Sequence, residues 1–444
     1  MAKKIGLRRT LGLLEVTISG VGIILGAGIY ALIGEAAGLA GNAVWISFAL
    51  SALIALLTGL SYAELASMFP KAAAEYEYTS QAFGGFLAFL VGWMIIFSGV
   101  VGAATVSLGF AGYFQALTGT PILPSAIALL AVLSLVLLFG ITHSTRLAIV
   151  LTTVEALGLV LVIYMGIPYL GSVDLLEMSP LGSAGILQAS ALIFFAFIGF
   201  EEIVKLSEEA KDPEINIPRG LVLAISASII LYILVAISAV SVLGWEELSC
   251  SSAPFSDIAR YALGPNASAI ISIMALFATT NTVLLMLLAS SRIIYGMASS
   301  GSLPPILASV HPRTHAPWIA TILSMIIAMS FVFLEDIAFV ANVNNFTVFV
   351  TFIVINAVLI SLRYKKPQIA RPFRVPISWG KLAVLPVLGI LFNLLMLIQL
   401  ETRVMAIGLG LGGLGALAAL ISMRYIRSDI KKLIKNSISS RDQG

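Results

Sequence analysis

Gly20-Val21-Gly22-Ile23-Ile24-Leu25-Gly26-Ala27-Gly28-Ile29-Tyr30 lies at the centre of the first hydrophobic run, which extends from about Leu11 to Gly34. The run is too apolar for a soluble helix and too rich in glycine for a continuous one. In lipid every backbone N–H and C=O needs a partner, so an interrupted helix at mid-depth persists only beside a protein-lined or water-filled cavity. Breaks of this kind mark the substrate sites of secondary transporters.

Composition sets the same scene. Charged residues are 11% of the 444-residue chain and hydrophobic residues 59%, against about 25% charged in an ordinary soluble domain. The chain reads as an all-α integral membrane protein. Windows of about 20 apolar residues predict twelve spans, near 11–34, 41–66, 83–117, 122–141, 147–169, 185–205, 220–244, 266–292, 317–335, 337–362, 382–400 and 403–423.

With a cytoplasmic N-terminus, the inner segments hold all but two of the 25 Lys and Arg, only Arg260 and Arg403 falling outside. Inner positions include Lys3, Lys4, Arg8, Arg9, Lys71, Arg146 and the six basic residues after 423. Dropping one span would move every later loop to the other side, so the asymmetry favours twelve spans with both termini cytoplasmic, in the cytoplasmic membrane. The net charge of +3 therefore reports topology, and no nucleic-acid-binding face is expected. The first stretch is long and leads directly into a second, unlike a cleaved signal peptide. Cys250 is the only cysteine, which excludes an intramolecular disulfide and a thiolate metal cluster.

Phe194-Phe195-Ala196-Phe197-Ile198-Gly199-Phe200-Glu201-Glu202 interrupts the sixth span with a glycine and two acids. The two interrupted spans are five apart, an odd number, so they cross in opposite directions. That is the arrangement of an inverted repeat. The expected organisation is one transmembrane domain over 1–444, with a first repeat at 11–169, an inverted second repeat at 185–362, two added helices at 382–423 and a cytoplasmic tail at 424–444. Where a helix restarts after a break, its first N–H groups lack intrahelical acceptors and sit at a positive dipole end, which suits a carboxylate. The amides around Gly26, Ala27 and Gly28 are thus expected to hold a substrate carboxylate, and carbonyls from Phe195 to Gly199 its ammonium. Close helix packing is the alternative use of such glycines.

Further segments carry a resemblance: Ser61-Tyr62-Ala63-Glu64-Leu65 with Phe69-Pro70, Glu208-Glu209-Ala210-Lys211-Asp212-Pro213 followed by Ile217-Pro218-Arg219, Ser291-Arg292 with Tyr295, and Arg371-Pro372-Phe373-Arg374-Val375-Pro376. In this order, with the two breaks, they resemble the amino acid, polyamine and organocation transporter superfamily, closest in pattern to the cationic amino acid transporter branch and its prokaryotic relatives. The resemblance implies a five-plus-five inverted repeat with discontinuous helices 1 and 6 plus two extra helices, working as a secondary active amino acid carrier by alternating access. Proton-coupled symport is the expected mode; exchange and sodium coupling stay open. On matching positions, Ile24, Gly26, Ala27 and Gly28 would line the carboxylate side, and Phe195, Ala196, Phe197 and Ile198 the ammonium and side-chain side, with Phe195 in the place of an aromatic gate.

Glu155 falls roughly 12 Å into span 5, near the middle of a core about 30 Å thick. In many relatives this position holds a lysine that occupies the place of a coupling sodium ion, so here the charge is reversed. Three readings stand: a protonatable coupling carboxyl, an anion that helps bind sodium with carbonyls near Gly20 to Ile23 and the hydroxyls of Thr279 and Thr280, or a neutral acid hydrogen-bonded across helices. Glu201 matches the family's acidic position in span 6 and is a further coupling candidate. Glu64 is read as structural and Glu15 as solvated.

The pattern also departs from the family. Relatives of the cationic branch often carry acidic and tyrosine residues in span 3, where this chain reads Trp93-Met94-Ile95-Ile96-Phe97-Ser98-Gly99; Ala73-Ala74 replaces paired glycines, with Glu75 and Glu77 added. An apolar lining favours neutral over cationic amino acids. No cofactor or resident metal is expected. His143, His311 and His315 form no His-Glu-x-x-His pair, and an enzyme is not expected. An ion channel or a nontransporting amino acid sensor is the alternative of another class.

Overall fold

The computed structural model describes residues 10–70, 74–139 and 145–441, with side chains over 10–70, 74–139 and 151–422. Lys3, Lys4, Arg8, Arg9, Lys71, Ala73 and His143 lie outside the described residues, as do the side chains of Arg146 and of the basic tail. The chain is mostly helical: α1 (Leu13–Ile24), α2 (Gly28–Ala40), α3 (Val44–Met68), α4 (Ala74–Phe83), α5 (Gly85–Thr118), α6 (Ile122–Leu138), α7 (Thr145–Gly166), α8 (Gly182–Ile193), α9 (Pro213–Ser249), α10 (Pro254–Leu263), α11 (Pro265–Ser299), α12 (Trp318–Val332), α13 (Ile337–Lys365), α14 (Val384–Gln399) and α15 (Thr402–Arg441). The strands named among the described residues are a two-residue pair, Ser378–Trp379 antiparallel to Leu382–Ala383.

Among the described residues, eight helical runs are long and apolar enough to cross a membrane: Gly28–Met68, Gly85–Thr118, Leu151–Tyr169, Gly182–Glu208, Pro213–Ser249, Pro265–Ser299, Ile337–Lys365 and Thr402–Ser422. Four shorter apolar helices, α1, α6, α12 and α14, accompany them. The 41-residue run Gly28–Met68 folds back on itself at Gly41, whose φ of +76° and whose distance to Ser179 N, 2.5 Å from a built Cβ, admit only glycine. This is a multi-pass membrane protein.

The outer loop expected near 245–265 contains an unforeseen helix, α10. Pro254 sits in its first turn, where its missing N–H costs no hydrogen bond. Phe255, Ile258 and Ala259 are buried, and Ser256 shares hydroxyl contacts with Ser268 and Ser272 of α11, each at 2.8 Å.

Packing brings the two glycine-broken segments together. α2 runs beside α8, and α1 beside the 3-10 segment Phe200–Glu208 that continues α8. The first half of one broken segment thus meets the second half of the other, so the two are antiparallel. α9 packs on α1 and α3, while α5 packs on α11 and α13. One end of the bundle is tied by Glu64 at the end of α3: Arg363 donates through Nε at 3.0 Å and Nη2 at 2.5 Å, Arg371 Nε lies 3.3 Å away, and the Val375 N–H donates at 2.8 Å. Glu15, in the first turn of α1, accepts from the Gly12 N–H at 3.0 Å on the exposed side.

Candidate functional site

The first break begins where the Leu25 N–H closes the last turn of α1 on Val21 O at 2.8 Å, and the Gly26 N–H turns back to Ile24 O at 2.6 Å. The Ala27 N–H has left its helix and donates to Thr282 Oγ1 of α11 at 3.3 Å, just before α2 restarts at Gly28. The second break follows α8: a 3-10 turn over Phe194–Phe197, an extended Ile198, then Gly199 at φ +123°. Here the restarting N–H carries its own carboxylate, for Gly199 N–H donates to Glu201 Oε2 at 2.9 Å. The restart of α2 meets only a neutral hydroxyl, and at a longer distance.

The breaks touch. A Cβ on Gly28 would lie 2.7 Å from Ala196 Cα and 3.1 Å from the Phe195 ring, and one on Gly199 would lie 2.9 Å from Ile23 O. Tyr232 of α9 spans both, its hydroxyl reaching Ile24 O at 2.7 Å and Ala196 O at 3.1 Å. Packing therefore requires glycine at positions 28 and 199. It does not at Gly26, which is half-buried and whose built Cβ would find its nearest neighbour, Thr282 Oγ1, at 3.8 Å. Ile24, Ala27, Phe195, Ala196 and Phe197 are buried and Ile198 half-buried; the Phe197 ring stands edge-on to Tyr232 at 5.2 Å.

α7 docks behind the first break through Thr152, Glu155 and Gly158, spaced three apart on one face. Thr152 fills the notch left by Gly22, and Tyr30 donates to the Glu155 backbone carbonyl at 2.7 Å and lies 2.3 Å from a Cβ built on Gly158. The Glu155 side chain is 1% exposed, and its Oε1 has no hydrogen-bond partner. Thr279 turns its hydroxyl back onto Ala275 O of its own helix at 2.7 Å, and Thr280 is half-buried. The threonine that reaches the break is Thr282, one turn beyond Thr279 on α11. A run of Thr279-Thr280-Asn281-Thr282 in an apolar helix was the available signal; only the helix rotation, unknown from sequence, selects among them.

Beside the second break lies a small cleft of about 20 Å³ lined by residues that include Tyr62, Glu75, Ser98, Glu201, Glu202 and Thr351. Glu75 reaches it from α4, and Lys205 forms an ion pair with Glu202. Burial pushes the Glu75 carboxyl up from its ordinary value; Lys205 opposes this and Glu202 reinforces it. A carboxyl raised in the folded state favours folding at low pH, and that contribution is lost as pH rises through the raised value. Glu75→Gln is therefore expected to raise the thermal midpoint at pH 8 by about 2 °C or more and to leave variant and parent alike near pH 4. Detergent-phase melting curves across that range check it. Among the described residues no group of His, Cys, Asp and Glu has the placement of a metal site.

An apolar multi-pass bundle with two apposed, oppositely directed helix breaks is a carrier's geometry, and the comparisons with known proteins decide the family. A family model described as amino acid permease matches residues 11–410. The chain belongs to the amino acid permease family, whose members are transporters and not enzymes. A branched-chain amino acid permease of Bacillus subtilis is 32% identical, over 89% of this chain and 88% of its own. A methylthioribose transporter of the same organism is 31% identical, over 84% and 86%. A vacuolar cationic amino acid transporter 4 of Arabidopsis thaliana is 30% identical, over 82% of this chain and 64% of its own.

Proposed function

We propose that the chain is a secondary active transporter that moves amino acids across the cytoplasmic membrane by alternating access, coupled to protons. The observation that carries this reading is Gly26: neither packing nor a positive φ demands glycine there, yet it lies open at the one restart whose N–H meets only a neutral hydroxyl. A substrate carboxylate approaches the amides of Gly26, Ala27 and Gly28 without a Cβ in the way. Its ammonium faces the carbonyl side of the second break, where Phe195, Ala196, Phe197, Ile198 and Gly199 stand and where Tyr232 already shows one carbonyl to be accessible to a donor. The pairing of α2 with α8 and of α1 with the segment after Gly199 supports a five-plus-five inverted repeat. Counting each broken segment once, and α2 and α3 as separate helices, supports twelve crossings, an even number that puts both termini on one side; the distribution of Lys and Arg supports the cytoplasmic side.

Glu155 is the proposed proton carrier, with Glu201 beside the second break as the next carboxyl toward the cleft. Sodium bound near Glu155 and Thr279, Thr280 or Thr282 is the competing coupling. Named relatives handle branched-chain and cationic amino acids and methylthioribose; the apolar side chains of Phe195, Phe197 and Ile198 at the second break support a neutral substrate.

The test is uptake of an amino acid panel into proteoliposomes, with pH and sodium gradients imposed in turn. Saturable uptake raised by an inward pH gradient supports the reading; conductance without substrate would favour a channel, and binding without uptake a sensor. Gly26→Ala has room for its methyl in the fold, so the melting midpoint is expected to hold while KM rises about tenfold or more, equivalent to about 1.4 kcal/mol of lost binding. An unchanged KM would remove Gly26 from the carboxylate site.

A further inference from the structure

Asn344 on α13 is fully buried, and neither its Nδ2 nor its Oδ1 has a hydrogen-bond partner. Other buried asparagines differ. Asn345 donates to Ala191 O and Leu192 O at the end of α8, at 2.8 and 2.9 Å. Asn356 donates to Phe352 O and Thr58 and accepts from Ser61. A buried carboxamide with both ends unpaired is destabilising, and such a group in a native fold calls for a partner.

Its surroundings say which partner. Asn344 Nδ2 lies 3.8 Å, and Met286 Sδ 3.0 Å, from a Cβ built on Gly102 of α5, so amide and thioether share the notch that this glycine leaves. Met286 is one turn from Thr282 on the same face of α11, and Thr282 receives the Ala27 N–H of the first break. In the other direction Ser98 lies one turn from Gly102, and Val348 and Thr351 lie one and two turns from Asn344; all three line the cleft beside the second break. Asn344 therefore stands between the break and the cleft, on the faces of α5, α11 and α13 that turn toward each other.

We propose that Asn344 reads the substrate side chain, and that the substrate carries an uncharged group that both donates and accepts a hydrogen bond, a hydroxyl or a carboxamide. This rests on the amino acid transport reading and narrows it. With the carboxylate at Gly26 to Gly28, the side chain reaches past Thr282 and Met286 to the amide, whose paired donor and acceptor match such a group. A purely aliphatic side chain leaves the amide unpaired, and a site built this way discriminates against it. A guanidinium or ammonium meets at Asn344 a neutral amide where it needs an anion, the carboxylates of Glu75, Glu201 and Glu202 lying further along, in the cleft.

Threonine and valine are close in shape and differ by the hydroxyl, which makes them the probes. In proteoliposomes the wild-type protein is expected to favour threonine over valine by about tenfold or more in kcat/KM. Asn344→Leu is expected to invert that preference and, having removed an unpaired buried amide, to melt no lower than the parent. Asn344→Ala, which leaves the notch larger, is expected to lose the preference as well and serves where the leucine variant does not fold. Equal handling of threonine and valine by the wild type, or a preference that survives both substitutions, overturns the assignment while amino acid transport stands. A wild type that takes up neither, nor any other amino acid, overturns the transport reading and this one with it.

Discussion

Glu155→Gln is expected to abolish concentrative uptake driven by a pH gradient while leaving substrate able to equilibrate across the membrane. The glutamine keeps the size of the side chain and its capacity to hydrogen-bond, and loses only the ability to take up and release a proton. The site is suited to that isolation: the side chain is 1% exposed, its Oε1 has no partner, and its helix is held against the first break by Tyr30 and Thr152. One coupled proton per substrate and one unit of pH gradient correspond to about 1.4 kcal/mol, or about tenfold accumulation. The variant should bring that ratio to about one, read as internal over external labelled substrate at steady state. A variant that still accumulates tenfold would assign the carboxyl to structure. A wild type driven by sodium and not by protons, with sodium dependence lost in the variant, would assign it to the competing cation.

The second large effect is on folding. Glu64 is 0% and Arg363 3% exposed, and their two-point contact is completed by Ser378 Oγ at 2.7 Å and the Val375 backbone. Removing one partner of a buried pair costs about 3–5 kcal/mol because the other charge is left uncompensated. The two ends are not equivalent. Glu64→Leu strands Arg363 with a hydroxyl and one carbonyl, whereas Arg363→Met leaves Glu64 with Arg371 and the Val375 N–H. Glu64→Leu is therefore expected at the upper end of that range and Arg363→Met at the lower, with the double substitution less damaging than the first alone. Thermal unfolding in detergent checks the order; equal and small losses for both singles would show that the contact adds nothing net.

The helix breaks were legible because glycine in a long apolar run has few uses, and lipid leaves interrupted backbone few places to stand. Gly20, Gly22, Gly26 and Gly28 nevertheless looked alike in sequence. Only their neighbours separate them: Ala224 and Ile203 crowd Gly20, Thr152 crowds Gly22, Ala196 crowds Gly28, and Gly26 is open. Thr282 and Asn344 were not legible as site residues. In a helix apolar on most sides, rotation about the axis decides which polar side chain faces a partner, and α11 and α13 carry polar groups on several faces. α10 falls in a stretch that reads as loop because its ten residues are too few and too amphipathic to register as a span, although Pro254 marks its start. Glu155 stood out by charge alone, and the structure adds its burial and the contacts of Tyr30 and Thr152 that hold its helix behind the first break.

The apposition of the two breaks has a geometric consequence. In the proposed binding mode a carboxylate at the restart of α2, an ammonium at the carbonyls of the second break and a side chain directed to Asn344 are three separate attachments. Three such points on a tetrahedral carbon fix its handedness. The mirror-image amino acid can satisfy only two of them at once, so a carrier that binds in this way is expected to act as a chiral filter.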